Sequence, residues 1–111
     1  MFRTESLNDN ELVQKFIEGD QKSLETLIHR HKSRIFSYIL LIVKNQELAE
    51  DVFQETFIKV IRSLKRGKYV ENGKFVSWVL RIAHNLIIDH FRKVKLQGTV
   101  SNDSTEVDIF N

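Results

Sequence analysis

The feature that most limits the fold of this chain is its shortage of residues that interrupt helices. Its 111 residues contain no proline and only four glycines, at positions 19, 67, 73 and 98. Proline blocks the interior of a helix, and glycine costs about 1 kcal/mol there relative to alanine. The sequence between these positions therefore predicts long helices with few breaks.

Apolar residues recur at helical spacing in four segments. Asn8 and Glu11 form a capping-box pattern at the start of the first segment, and Asp20 is a natural N-cap for the second. The predicted helices cover about residues 8–19, 20–44, 46–66 and 73–95. We therefore predict an all-α fold, a compact helical bundle of three long helices plus a short N-terminal helix.

The ordered domain is expected to occupy residues 1–95. Residues 96–111 are polar, acidic and aperiodic, which is typical of a linker or tail. The chain has no cysteine, and its longest apolar run, residues 39–43, is far too short to span a membrane. With no apolar signal-peptide core either, we expect a cytoplasmic protein without membrane insertion.

Charge is segregated along the chain although the net charge is only +2. Counting Lys and Arg against Asp and Glu, residues 46–61 carry −3 and residues 62–95 carry +7. A basic block beside an acidic block predicts two partners of opposite charge.

The basic block is concentrated on one side of the fourth helix. Its apolar arc is predicted to be core, and Trp78 at the edge of that arc is assigned to packing. The other side carries cations, amide and imidazole groups and almost no acid: Lys74, Ser77, Arg81, His84, Asn85, Ile88, Arg92 and Lys95. A solvated helix face usually mixes both signs, so this face favours an anionic partner.

The third helix has an acidic face opposite its predicted core. That core consists of Ala49, Phe53, Thr56, Phe57, Val60 and Leu64. The acidic face gathers Glu47, Asp51, Gln54, Glu55, Ile58 and Arg62. Charge alone favours a solvated face. A branched apolar residue surrounded by carboxylates, as Ile58 is here, is however typical of a docking patch.

The loop between the third and fourth helices combines cations with an aromatic residue. Lys65, Arg66 and Lys68 precede Tyr69. Single-stranded nucleic acid is bound by such a mixture, because cations follow phosphates and aromatic rings stack on bases. The alternative is that the Tyr69 ring packs back on the core.

Catalytic and metal-binding signatures are missing from the sequence. His31 lies in the apolar stripe of the second helix and is interpreted as a packed residue with one hydrogen bond, and His29 points elsewhere. Asp89 and Arg92 are interpreted as a surface ion pair. With no nucleophile–base set or phosphate-binding loop, we expect a binding module that is not an enzyme and needs no cofactor or metal.

Four segments together resemble region 2 of the extracytoplasmic-function (ECF) group of sigma factors in the sigma-70 family. They are GDQKSL at 19–24, LAEDVFQETF at 48–57, FVSWVLRIAHN at 75–85 and IDHFRK at 88–93. The second fits the family pattern AEDxxQExF, the third FxxWLxxIAxN and the fourth IDxxR. The resemblance covers about residues 8–95.

The resemblance implies a domain that binds core RNA polymerase and recognises and melts the −10 promoter element in transcription initiation. Asp51, Gln54 and Glu55 match the family positions that face the clamp helices of the β′ subunit. We place Glu47 and Ile58 on the same polymerase-binding surface.

Tyr69 and Asn85 match family positions that shape a pocket for a base flipped from the non-template strand. The predicted DNA-binding set is Arg66, Lys68, Tyr69, Lys74, Arg81, His84, Asn85, Arg92 and Lys95. Two departures from the pattern are a slightly longer loop before Trp78 and His31 at a position that is often Tyr.

No segment resembling region 4 follows, so we expect an isolated domain of a longer protein. The alternative function is a protein-interaction module without direct DNA reading, for example one captured by an anti-sigma factor. Such an inhibitor is compatible with the first function as well.

Overall fold

The described residues form four α-helices and no strand. The computed structural model describes residues 7–69 and 73–96. The helices are α1 (Asp9–Ile17), α2 (Gln21–Val43), α3 (Gln46–Lys65) and α4 (Phe75–Leu96). The all-α prediction is confirmed, and each predicted helix boundary lies within two residues of the observed one. The predicted tail lies outside the described residues from position 97 onward, as do loop residues 70–72.

Side-chain caps explain where the first three helices begin. The Asn8 side chain accepts a hydrogen bond from the Glu11 amide and the Glu11 carboxylate accepts one from the Asn8 amide, both at 2.9 Å. This is the predicted capping box. Asp20 accepts from the Lys22 amide at 3.1 Å, and Asn45 accepts from the Leu48 amide at 2.9 Å. Each cap satisfies a backbone donor that the helix itself leaves without a partner.

Like α3, the α2 helix packs against each of the other three helices. Two contacts fix its direction relative to α4: His31 lies against Phe75, and Tyr38 lies against His84. Because the numbers rise together on both helices, α2 and α4 run parallel. The α3 helix returns the chain between them.

The core is apolar, and its buried polar groups have partners. Eighteen buried apolar residues form one cluster that draws on all four helices. Ser23 and Thr56 are fully buried. The Ser23 hydroxyl donates to the Asp20 carboxylate at 2.9 Å, and the Thr56 hydroxyl donates to the Val52 carbonyl at 2.7 Å. Burial of these hydroxyls therefore leaves no donor unsatisfied.

The core predicted from helical periodicity was incomplete. The sequence patterns did not select four apolar residues that are buried: Leu7, Leu27, Val43 and Val52. Phe53, which they did select, is half-buried. The α2 and α3 helices each touch more than one neighbour, so their buried faces are wider than a single stripe. Within the described residues, no helix is long and apolar enough to cross a membrane.

Candidate functional site

The acidic face predicted on α3 is exposed along its whole length. Glu47, Asp51, Gln54, Glu55 and Ile58 are all exposed. Ile58 keeps 50% of its surface accessible in the middle of this face. A large branched apolar side chain surrounded by carboxylates is the composition expected of a protein-docking patch.

The structure adds an apolar groove beside this face. It lies between α2 and α3, has a volume of about 430 Å³ and reaches Gln54 at one edge. Phe36 and Phe53 meet there edge to face, with ring centroids 6.1 Å apart. Sequence reasoning missed Phe36, because only the packing of α2 on α3 brings the two rings together.

Most of the predicted cations are exposed on α4 and on the loop before it. Arg66, Lys68, Lys74, Arg81, Arg92 and Lys95 are exposed, and so is Asn85. Arg81 and Asn85 are one turn apart, so a guanidinium and an amide stand side by side on this face. Such a row provides cations for phosphates and an amide that both donates and accepts hydrogen bonds.

His84 has a different environment from these cations. It is half-buried between α4 and α2, and its Nδ1 lies 3.1 Å from the Tyr38 hydroxyl. With Ser77, Leu80 and Arg81 these two residues line a shallow groove of about 390 Å³. Helical periodicity predicted that His84 lies on the exposed face of α4. It could not predict the contact with Tyr38, which lies 46 residues earlier in the chain.

Tyr69 and Trp78 belong to one aromatic cluster. The Tyr69 ring centroid is 4.8 Å from that of Trp78 and 5.9 Å from that of Phe75. Phe75 is 1% exposed and anchors the cluster in the core. The Tyr69 hydroxyl donates to Oδ1 of Asn10 at 3.3 Å. The sequence left open whether the Tyr69 ring stacks on bases or packs on the core, and the ring lies packed on the core. The position of Trp78 agrees with its assignment to packing.

The remaining histidine and ion-pair predictions have different outcomes. His31 is packed, as expected, with its ring 6.0 Å from Phe75 and its Nε2 2.8 Å from the Asp9 carboxylate. Asp9 also pairs with Arg30 at 3.0 Å. The predicted ion pair between Asp89 and Arg92 does not form: among the described residues, the ion pairs are those of Asp9 with Arg30 and His31.

The acidic and basic surfaces meet at one groove between α3 and α4. This groove has a volume of about 450 Å³, and its lining includes Glu55 and Lys59 of α3 with Asp89, Arg92 and Lys93 of α4. Glu55 was assigned to one partner and Arg92 to the other. The two predicted surfaces are therefore adjacent, which the residue pattern of a single helix does not show.

Comparison with known families decides the identity of this fold. Residues 27–96 match the model of sigma-70 region 2, which spans α4 and most of α2 together with all of α3. The chain belongs to the sigma-70 family. The match includes the acidic face of α3 and the basic face of α4, and begins after α1.

Curated relatives place this sigma-70 family member in the ECF group. It is 39% identical over 80 residues to the RNA polymerase sigma factor CarQ of Myxococcus xanthus, covering 72% of this chain and 45% of CarQ. It is 32% identical over 83 residues to the ECF RNA polymerase sigma factor SigW of Bacillus subtilis, covering 75% of this chain and 43% of SigW. The chain thus spans less than half the length of these relatives.

Proposed function

We propose that this chain is the region 2 domain of an ECF sigma factor, which binds core RNA polymerase and recognises and melts the −10 promoter element. The observation that carries the proposal is the pair of exposed, oppositely charged surfaces on α3 and α4, both inside the matched region. Residues 1–95 form this domain, and residues 96–111 are an acidic linker or tail. The protein acts in the cytoplasm, makes and breaks no covalent bond, and needs no cofactor.

The α3 surface is proposed to bind the clamp helices of the polymerase β′ subunit. Asp51, Gln54 and Glu55 supply acceptors on one face, and Ile58 supplies the apolar contact. Interfaces of this kind combine an apolar centre with a polar rim. Glu47, one turn before Asp51, extends the acidic rim.

The α4 surface and the preceding loop are proposed to bind the non-template strand. Asn85 and Tyr69 contact a flipped base, the half-buried Tyr69 ring through its accessible edge. The cations follow the phosphates: Arg66, Lys68, Lys74, Arg81, Arg92 and Lys95. Holding an unstacked base offsets a melting cost of a few kcal/mol per step. His84 lines the groove beside Arg81 and contacts the same strand at its edge.

A binding experiment tests the DNA-reading surface. A short single-stranded DNA is selected from a randomised library by the wild-type domain and then titrated against Asn85→Ala, Tyr69→Ala and the double variant. Loss of base stacking and base contact is expected to weaken binding about 5- to 100-fold. Lys22→Ala, at an exposed α2 position outside the predicted DNA-binding set, is the control and should bind like wild type. Equal affinity of wild type and the double variant would refute the base pocket.

A charge-reversal experiment tests the polymerase surface. Asp51→Lys with Glu55→Lys is expected to abolish binding to a purified β′ clamp-helix fragment, because opposite charges become like charges across the contact. Glu25→Lys reverses another exposed carboxylate, on α2, and is the matched control. Unchanged affinity of the double variant for the fragment would exclude this surface.

A second candidate is a protein-interaction module captured by an anti-sigma factor. The apolar groove at Phe36 and Phe53 favours a protein partner on the α2–α3 side. Salt titration separates the two functions, because binding to several phosphates weakens steeply and linearly in log salt whereas an apolar protein contact does not.

A further inference from the structure

The α1 helix is tied to the aromatic cluster by two successive residues. Asp9 binds Nε2 of His31 at 2.8 Å, and the His31 ring contacts Phe75. Asn10, the next residue, accepts a hydrogen bond from the Tyr69 hydroxyl. Both links converge on rings that touch each other, since Phe75 and Tyr69 are in edge-to-face contact.

The turn that carries Asn10 is held in place by its neighbours. Asn10 lies in the first turn of α1, between the capping-box residues Asn8 and Glu11, and is half-buried. Asp9 anchors the same turn to α2 through both Arg30 and His31. A side chain fixed in this way fixes its hydrogen-bond partner in turn.

We propose that Asn10 is a positioning residue for DNA recognition, acting through the Tyr69 hydroxyl. This inference rests on the proposed function of Tyr69 in base contact. The Asn10 amide holds the ring at the angle and height at which its edge meets the base pocket beside Asn85. The α1 helix, which lies outside the matched region 27–96, thereby becomes part of the DNA-reading apparatus.

The size of the effect follows from the geometry of this bond. At 3.3 Å the oxygen–oxygen distance exceeds the usual value of about 2.7–2.8 Å. The loss on removing the bond is therefore expected at the lower end for a neutral hydrogen bond, about 2- to 5-fold in affinity.

A double-mutant cycle tests the inference with the selected single-stranded DNA as probe. Asn10→Ala and Tyr69→Phe are each expected to weaken binding about 2- to 5-fold. The affinity of the double variant should equal that of the single variant with the lower affinity, because both changes remove the same hydrogen bond. Additive losses would overturn the proposal.

An abasic series distinguishes positioning from a general loss of stability. Each base of the probe is removed in turn, which identifies the base whose loss weakens wild-type binding most. On that abasic probe Asn10→Ala should bind like wild type, because the base that Tyr69 contacts is gone. A persisting deficit there would show that the substitution acts elsewhere. Gln14→Ala is the control, since it removes an exposed α1 hydrogen bond to Glu18 and leaves the Asn10–Tyr69 bond intact, so it should retain wild-type affinity for the intact probe.

These variants also distinguish the proposed function of Tyr69 in base contact from the proposed role of Asn10 in positioning its ring. If Tyr69→Ala binds as tightly as wild type, the proposed function of Tyr69 fails. If Tyr69→Ala weakens binding and both Asn10→Ala and Tyr69→Phe do not, the ring is used but Asn10 does not position it.

Discussion

His31 and His29 are two positions apart and have opposite environments. The side chain of His31 is 15% exposed and joins Asp9 of α1 to Phe75 of α4, whereas His29 is exposed. Two residues rotate the side-chain direction by about 200° on an α-helix, which separates a structural histidine from a solvated one.

Replacing each histidine by leucine measures that difference. His31→Leu removes one of the two partners of the Asp9 carboxylate and is expected to lower the free energy of unfolding by about 1–2 kcal/mol. His29→Leu is expected to change it by less than about 0.5 kcal/mol. Urea denaturation of both variants provides the values. Equal losses would mean that the contacts of His31 contribute nothing to stability.

The sequence predicted whether a single residue is buried or exposed, but not which residue it contacts. The position of His31 in an apolar stripe was enough to predict a packed ring with one hydrogen bond. Its partner Asp9 was not predictable, because that contact depends on how α1 crosses α2. The same holds for Asn10 with Tyr69 and for Tyr38 with His84. The roles of Tyr69, Asn85 and the cations in DNA binding stay predictions.

At the scale of elements, the link between α2 and α3 is very short. Lys44 closes α2 in the left-handed conformation with φ 57°, and its amide donates to the Leu40 carbonyl at 2.8 Å. The next residue, Asn45, already caps α3. Glycine usually occupies such a C-terminal position, because a side chain in this region costs about 1–2 kcal/mol.

Lys44→Gly is therefore expected to stabilise the domain. The relief of backbone strain exceeds the added entropy of the unfolded chain, and the expected gain in the free energy of unfolding is about 0.5–1 kcal/mol. Lys44→Ala keeps the strain and removes the same charge, so it should lie close to wild type. Denaturation midpoints compare the three proteins. If alanine stabilised as much as glycine, the gain would come from charge and not from the backbone.

Helix positions were predictable because caps and glycines are local signals. Asn8, Asp20 and Gly19 mark boundaries within a few residues of the groups they bind, so no tertiary information was needed. The relative placement of the helices was not predictable in this way. Packing of α3 against α4 places Glu55 and Arg92 on one groove, and no pattern within a single helix contains that information.

At the scale of the whole molecule, charge is distributed by surface. The exposed cations of α4 lie together, although the net charge of the chain is only +2. Binding to single-stranded DNA releases counterions in proportion to the phosphates neutralised. The slope of log affinity against log salt therefore measures the number of phosphate contacts.

Removing one cation should change that salt dependence by a definite amount. Arg81→Ala is expected to make the slope of log affinity against log salt less negative by about 0.7, the value for one phosphate of a single strand. Lys22→Ala, with the same change in net charge, should leave the slope unaltered. Titrations of the selected DNA at several salt concentrations measure both slopes. Identical slopes for the two variants would remove Arg81 from the phosphate contacts.

The contact between Asn10 and Tyr69 joins the first helix to the loop before the last helix, across 59 positions of the chain. A single domain of this size generally folds as one cooperative unit. Because α4 packs on both α2 and α3, we expect neither proposed surface to be held in place before α4 has left the ribosome. The nascent protein would then acquire its proposed protein-binding and DNA-binding surfaces in one step.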